Sequence, residues 1–98
     1  MKTLTPAQRQ HLKGLAHGLK PVVMIGNQGL TAAVLKEIER SLAAHELIKV
    51  KAASDDPEVR RAWLEAIGAA TGAVGVQRIG RILVIYRPAA QPAIVLPA

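Results

Sequence analysis

A row of basic side chains near the N-terminus has a spacing that could bind a polyanion. Arg9, Lys13 and His17 recur every fourth residue, which places them along one side of a helix. Lys20 continues the row if the helix extends that far, and the chain has no acidic residue before Glu37. Because like charges at this spacing disfavour an isolated helix, we interpret the row as a surface for an anionic partner. The alternative is an ordinary solvated basic face.

The second candidate is the segment Gly26-Asn27-Gln28-Gly29, between a predicted strand and a predicted helix. Glycine lets a backbone approach a ligand closely, and free N–H groups at a helix start favour phosphate. GxxG loops of the KH type clamp a nucleic-acid backbone in this way. A second match at residues 72–75 follows a helix, so we interpret it as a cap and turn. A tight strand-to-helix turn is an equal alternative for the first match.

Lys49 and Lys51 alternate with the apolar residues Ile48, Val50 and Ala52. This alternation predicts a strand with one apolar face and one wet face. The two lysines are therefore candidates to extend the basic surface across a sheet. The arginines around the predicted hairpin, Arg78, Arg81 and Arg87, could do likewise, and for all five residues ordinary solubility is the simpler explanation.

Signals for catalysis or a bound cofactor are weak. The sequence has no cysteine, which excludes a thiol nucleophile, a thiolate metal site and disulfides. His11, His17 and His45 lack the spacing of a metal site, and no phosphate-binding loop or nucleophile-elbow motif occurs. We therefore expect a binding protein with no enzymatic activity, metal, cofactor or small-molecule substrate. A small hydrolase or transferase using His11 or His17 is the weaker alternative.

Composition narrows the class of protein further. The 98 residues carry a net charge of +6, and 50% are hydrophobic, enough for one packed domain. The first 51 residues hold eight of the 13 Lys and Arg but three of the 7 Asp and Glu, so we expect the anion-binding surface there. No apolar run approaches the ~20 residues of a membrane span, and no signal peptide is recognisable. The expected location is cytoplasmic.

Local patterns predict three helices. Thr5 and Asp56 are the expected N-cap residues of the first and third helices, which end near Gly18 and Gly72, and the second helix is expected to begin near Thr31. The predicted buried positions are Leu12, Leu15, Ala16 and Leu19 in the first helix, Val34, Leu35, Ile38 and Leu42 in the second, and Val59, Trp63, Ala66, Ile67 and Ala70 in the third.

Four strands complete the predicted fold. The all-apolar run 22–25 predicts a buried strand, residues 47–53 predict a second, and residues 74–79 and 82–86 flank a two-residue turn typical of a β-hairpin. The order α-β-α-β-α-β-β predicts an α/β fold, a four-stranded mixed sheet with helices packed on it. We expect one domain over residues 1–98, with an ordered core of about 3–88 and an extended tail after it.

Longer strings of the sequence resemble a known family. Residues 10–17, 19–23, 26–31, 45–51 and 77–88, the last ending in Tyr86-Arg87-Pro88, are similar to the bacterial YhbY family, the stand-alone form of the CRM domain. The resemblance covers nearly the whole chain, and residues 10–17 and 45–51 are its most specific parts. It implies an RNA-binding domain with a fold like the C-terminal domain of translation initiation factor three.

The resemblance also implies a partner and a site. The partner is ribosomal RNA within precursors of the large ribosomal subunit, bound by a monomer that assists assembly. The alternative is a protein-interaction module that docks on ribosomal proteins, with its charge serving solubility. Two departures from the family are the neutral residues inside the loop and a tail without Lys or Arg. The implied RNA-binding residues are Gly26, Asn27, Gln28 and Gly29, with Arg9, Lys13, His17, Lys20, Lys49 and Lys51.

Overall fold

Three helices and four strands alternate in the computed structural model, which describes residues 3–98. The order of the elements is the predicted one, and none of the helices in the described residues is long and apolar enough to cross a bilayer. The elements are α1 (Pro6–Ala16), β1 (Pro21–Ile25), α2 (Ala32–His45), β2 (Leu47–Ala52), α3 (Pro57–Thr71), β3 (Val74–Ile79) and β4 (Ile82–Tyr86).

Local side chains fix where the helices begin. The Thr5 hydroxyl accepts a hydrogen bond from the Gln8 N–H, and the Gln8 side chain accepts one from the Thr5 N–H, which forms a capping box. Asp56 caps α3 as predicted, and Thr31, near which the second helix was expected to begin, caps α2. Gly72, with φ of 77°, ends α3 in the left-handed region that favours glycine.

The sheet has the strand order β1-β2-β4-β3. β1 and β2 are parallel, as their helical crossover predicts, and β4 is antiparallel to both of its neighbours. β1 and β3 are therefore the edge strands. In β3 the pairing shifts between Gly75 and Gln77, so Val76 is an extra residue opposite β4.

Helices cover both faces of the sheet. α2 and α3 pack on one face, which we call the α2/α3 face, and α1 packs on the other, the α1 face. The alternation in β2 is confirmed, because Ile48 and Val50 join the α2/α3 core while Lys49 points to the α1 face. The core on the α1 face consists of Leu4, Leu12, Ala16, Leu47, Val76, Val84 and Tyr86.

Two predicted buried stripes are wrong in part. Leu15 and Leu19 were expected to be buried but are 44% and 39% exposed. The reason is that α1 ends at Ala16 and packs over β2 and β3, so its flank beside β1 stays open. In α3 only Ile67 is fully buried, and the expected core residues Ala66 and Ala70 are exposed.

Compared with the predicted stripe, the face of α3 that packs on the sheet includes Leu64 in place of Ala66 and Ala70. A side chain on Gly75 would approach the Leu64 methyl groups to 3.1 Å, so β3 lies tightly against this residue. Trp63 packs against the core without being fully buried.

β1 also departs from expectation. It was predicted to be buried on both faces, but Val22 and Met24 are 51% and 54% exposed while Val23 and Ile25 are buried. The strand lies at the sheet edge and only α2 covers one of its faces, so its other face remains open.

The C-terminal tail, residues 89–98, has no regular secondary structure and lies along the domain. The Glu46 carboxylate is 4% exposed and accepts hydrogen bonds from the backbone N–H groups of Ala89, Ala93 and Ile94 at 2.8, 2.9 and 3.0 Å. Burial raises the pKa of this carboxyl, but the three N–H donors lower it by more, so its pKa is below the ordinary value. Ile94 and Leu96 pack against the α1-face core.

Candidate nucleic-acid interface

Three of the predicted basic residues meet between α1 and the sheet. Lys13 and His17 on α1 and Lys49 on β2 line one hollow of about 350 Å³, here called the α1 hollow. Lys13 and Lys49 are half-buried, while His17 is exposed. The basic residues of α1 and of β2, which two independent patterns in the sequence had indicated, therefore lie on one positively charged surface.

Strand pairing connects this surface to the GxxG loop. Lys51 is opposite Met24 in the β1–β2 register, and paired strands are about 4.8 Å apart. Gly26 comes two residues after Met24 in the chain, and the loop continues from the end of β1. Along β2, Lys51 thus lies nearer than Lys49 to the end of the sheet from which the GxxG loop leaves β1.

The GxxG segment forms a tight turn. The Gly29 N–H donates to the Gly26 carbonyl at 3.0 Å, so Asn27 and Gln28 occupy the tip and are exposed. Gly29 has φ of 76°, and a Cβ there would lie 3.7 Å from the Trp63 ring. The aromatic ring of α3 therefore supports the underside of the loop, while nothing lies within 4 Å of a Cβ built on Gly26.

The start of α2 offers fewer free donors than the sequence indicated. The Thr31 hydroxyl accepts from the Val34 N–H at 3.2 Å, and the Thr31 carbonyl accepts from the Leu35 N–H at 3.0 Å. These bonds are the ordinary ones of a capped helix and occupy part of its first turn. The first turn of α2 therefore offers fewer free N–H groups to a ligand than an uncapped helix would.

Arg9 and Lys20 lie outside the α1 hollow. One guanidinium nitrogen of Arg9, Nη1, donates to the carbonyl oxygens of Gly75 and Val76 at 2.7 and 2.8 Å, which ties α1 to the edge of β3. Lys20 follows the end of α1 and lines a separate, mainly apolar groove with Leu15 and Leu19. The predicted row is thus divided between one structural anchor, two hollow residues and one groove residue.

Ion pairs are distributed unevenly over the described residues. Within residues 3–98 the paired cations are three arginines near α2 and α3: Arg61 with Glu58 and Glu65, Arg81 with Asp55, and Arg87 with Glu39. The hydrogen bond from Arg87 lowers the pKa of the Glu39 carboxyl. In the same part of the chain, Lys13, His17, Lys49 and Lys51 have no acidic partner.

Comparison with known proteins identifies the family. The model of the CRS1/YhbY (CRM) domain matches residues 4–87. This chain belongs to the CRM domain family. The recognition made from the sequence is therefore confirmed.

Relatives of this CRM domain share most of its length. An RNA-binding protein of Haemophilus influenzae is 55% identical over 97 residues, covering 99% of this chain and 98% of the relative. A probable RNA-binding protein of Pseudomonas aeruginosa is 43% identical over 89 residues, covering 91% and 86%. The solution structure of a Staphylococcus aureus protein proposed to bind RNA superposes with a TM-score of 0.84 at 34% identity, covering 97% of this chain and all of that one.

Further residues of the CRM domain line the α1 hollow and were not predicted. Gln10 and Gly14 share a helix face with Lys13 and His17, a spacing that could have drawn attention to them. Gln77 and Ile79 reach the hollow from β3 only because the bulge at Val76 shifts the strand alternation. Gly75 within a strand pattern was the one available sign of that bulge.

Proposed function

We propose that this CRM domain binds structured RNA, chiefly through the phosphate backbone, and has no catalytic role. The observation that carries the proposal is the charge on the α1 face: Lys13, His17, Lys49 and Lys51 lie together in the described structure without an acidic partner. A nucleic acid gains binding free energy at such a cluster, because cationic side chains that contact its phosphates release the counterions condensed on them. The names of the relatives, which are RNA-binding proteins, support the same partner.

The GxxG loop is proposed as the second contact. Its tip residues, Asn27 and Gln28, are neutral and exposed, so the turn can approach a phosphate without a repelling charge. Lys20, which follows the end of α1, and Arg9, whose Nη1 is already bonded to the Gly75 and Val76 carbonyls, are proposed as peripheral contacts. The proposed partner is ribosomal RNA in precursors of the large ribosomal subunit, and the proposed role is assistance in its assembly by a monomer.

A charge-reversal experiment tests RNA binding. Fluorescence anisotropy with a labelled ribosomal RNA fragment is measured for Lys13→Glu and Lys49→Glu over a range of salt concentrations. Each should weaken binding and flatten the dependence of log affinity on log salt by about 0.7–0.9 per lost phosphate contact. The matched control is Arg78→Glu, which changes the net charge equally but lies beside Arg60 and Pro57 on the α2/α3 face. Equal effects of all three variants would reduce the proposal to a nonspecific charge effect.

A second candidate function is docking on ribosomal proteins. It is favoured by an open apolar groove of about 460 Å³, which Leu15, Leu19, Val22 and Ile94 help to line. Sedimentation of tagged protein through a sucrose gradient separates the two functions. Comigration with large-subunit precursors that RNase or moderate salt abolishes supports RNA binding, whereas RNase-resistant association supports protein docking.

A further inference from the structure

The α1 hollow has a composition that phosphate binding alone does not require. Its cations, Lys13, His17 and Lys49, share it with two neutral amides, Gln10 and Gln77, and with the apolar side chain of Ile79, which is 51% exposed. A phosphate needs donors and positive charge, but it gains nothing from a hydrocarbon wall or from amide acceptors. The hollow therefore suits a ligand that is part anion and part flat, polar-edged ring.

The two amides are available for a ligand. Within residues 3–98 neither the Gln10 nor the Gln77 side chain hydrogen-bonds to another protein group, whereas the Gln8 side chain bonds to both Thr5 and Pro97. A free primary amide carries one acceptor and two donors, the combination that pairs with the edge of a nucleobase. Gln10 comes from α1 and Gln77 from β3, so the amides reach the hollow from two different walls.

Glycine keeps the hollow open. Gly14 lies on the helix wall, and a Cβ built on it would meet no atom within 4 Å. The space that a side chain would fill is part of the hollow.

We infer that the α1 hollow takes one unpaired nucleobase of the bound RNA, held edge-on by Gln10 and Gln77 while Lys13, His17 and Lys49 neutralise its flanking phosphates. This inference rests on the proposed RNA binding and narrows its substrate class. A base inside a duplex is paired and stacked, so only a loop, bulge or single-stranded segment can insert a base here. The domain thus prefers RNA with an exposed base over a continuous helix.

The test compares two RNA probes of equal charge. One is a fluorescein-labelled octaribonucleotide randomised at every position, and the other is the same sugar–phosphate chain without bases. Wild-type protein should bind the first about tenfold more tightly, the size of one good amide–base contact. Gly14→Leu, which fills the hollow, should reduce this ratio toward one.

Two further variants make the result decisive. Gln77→Leu keeps the size of the side chain but removes the amide, so it should also reduce the ratio. Ala66→Leu adds an exposed leucine on α3, on the opposite side of the sheet, and should keep the wild-type ratio. In an NMR titration of wild-type protein, the side-chain amide signals of Gln10 and Gln77 should shift with the octamer and not with the abasic chain.

Lys51→Glu separates failure of this inference from failure of the proposed function, because Lys51 does not line the hollow. If Lys51→Glu weakens binding of both probes while wild type and Gly14→Leu show the same ratio, the nucleobase site is wrong and backbone binding stands. If Gly14→Leu keeps the wild-type ratio and Lys51→Glu binds the octamer and the abasic chain as tightly as wild type does, both the proposed RNA surface and the nucleobase site are wrong.

Discussion

Arg9 on α1 donates a hydrogen bond of 2.8 Å to the carbonyl oxygen of Val76, the extra residue of the β3 bulge. The same nitrogen also reaches the Gly75 carbonyl. β3 is an edge strand, so these carbonyls have no neighbouring strand on their outer side, and the guanidinium takes that place. The bulge that brings Gln77 into the α1 hollow is thus stabilised by the helix that forms its other wall.

The hydrogen bonds from Arg9 to β3 should stabilise the fold. Arg9→Ala should lower the free energy of unfolding by about 1–3 kcal/mol, because a charged donor to two carbonyls is lost. Urea denaturation measures the change. Lys13→Ala, on the same helix but in the hollow, is the control and should stay within about 0.5 kcal/mol of wild type. An unchanged midpoint for Arg9→Ala would instead make Arg9 available as a primary RNA contact.

The two glycines of the GxxG loop should respond differently to substitution. Gly29→Ala forces a side chain into φ of 76° and should cost about 1–2 kcal/mol of stability, measured by thermal denaturation. Gly26→Ala has neither a positive φ nor a close neighbour, so stability should change by less than about 0.5 kcal/mol.

RNA affinity gives the second readout for these glycines. If Gly26 allows close approach of phosphate, Gly26→Ala should weaken RNA binding in anisotropy measurements although the protein remains as stable as wild type. Full affinity in this variant would show that the loop is a turn and not a contact.

The tip of the loop tests charge directly. Asn27→Asp with Gln28→Asp should weaken RNA binding, and Asn27→Lys with Gln28→Lys should strengthen it and steepen the salt dependence by about 0.7–0.9 per added contact. Both residues are exposed, so neither pair should alter the unfolding midpoint by more than about 0.5 kcal/mol in stability. Identical affinities for the two pairs would remove the loop from the interface.

The order of elements and the helix starts were predictable because they depend on short-range chemistry. Thr5, Thr31 and Asp56 each cap a helix through bonds within three residues, and a parallel β1–β2 pair follows from the intervening helix. Burial was less predictable, because it depends on where an element packs. Leu15 has the spacing of a core residue but lies on the flank of α1 that no strand covers.

The residues of the candidate site divide in the same way: local patterns predict some of them, and others depend on how the elements pack. Lys49 and Lys51 followed from strict alternation in β2, and Lys13 and His17 from helical spacing. Gln77 was not predictable, since alternation from buried Val76 would send it to the opposite face. The role of Arg9 also depends on β3 being an edge strand, which is a property of the strand order and of no local pattern.

Acid should weaken the contact between the Glu46 carboxylate and the tail. The pKa of the Glu46 carboxyl is lower in the folded protein than in an unfolded chain, where a glutamate titrates near 4.3. Its stabilising contribution is therefore complete above that value and is lost as the pH falls through the lower folded pKa. NMR signals of the Ala89, Ala93 and Ile94 amides should shift together in this range.

Substitution checks the assignment of the acid response. Glu46→Gln should lower stability at neutral pH by about 1–3 kcal/mol and flatten the change below pH ~4. The control, Glu37→Gln on the exposed side of α2, should keep the wild-type profile. Tail amides that do not respond to acid in wild type would exclude Glu46 as their acceptor.

The contact between Glu46 and the tail is made with main-chain N–H groups, so this contact by itself sets no requirement on the side chains at positions 89, 93 and 94. What it forbids is proline at positions 89, 93 and 94, because proline has no N–H to donate. Pro88 and Pro92 stand immediately before two of these positions and stiffen the chain without removing a donor. A search for the same contact in other chains should therefore look for a glutamate just before the second strand. After the fourth strand it should require residues other than proline at the three donor positions.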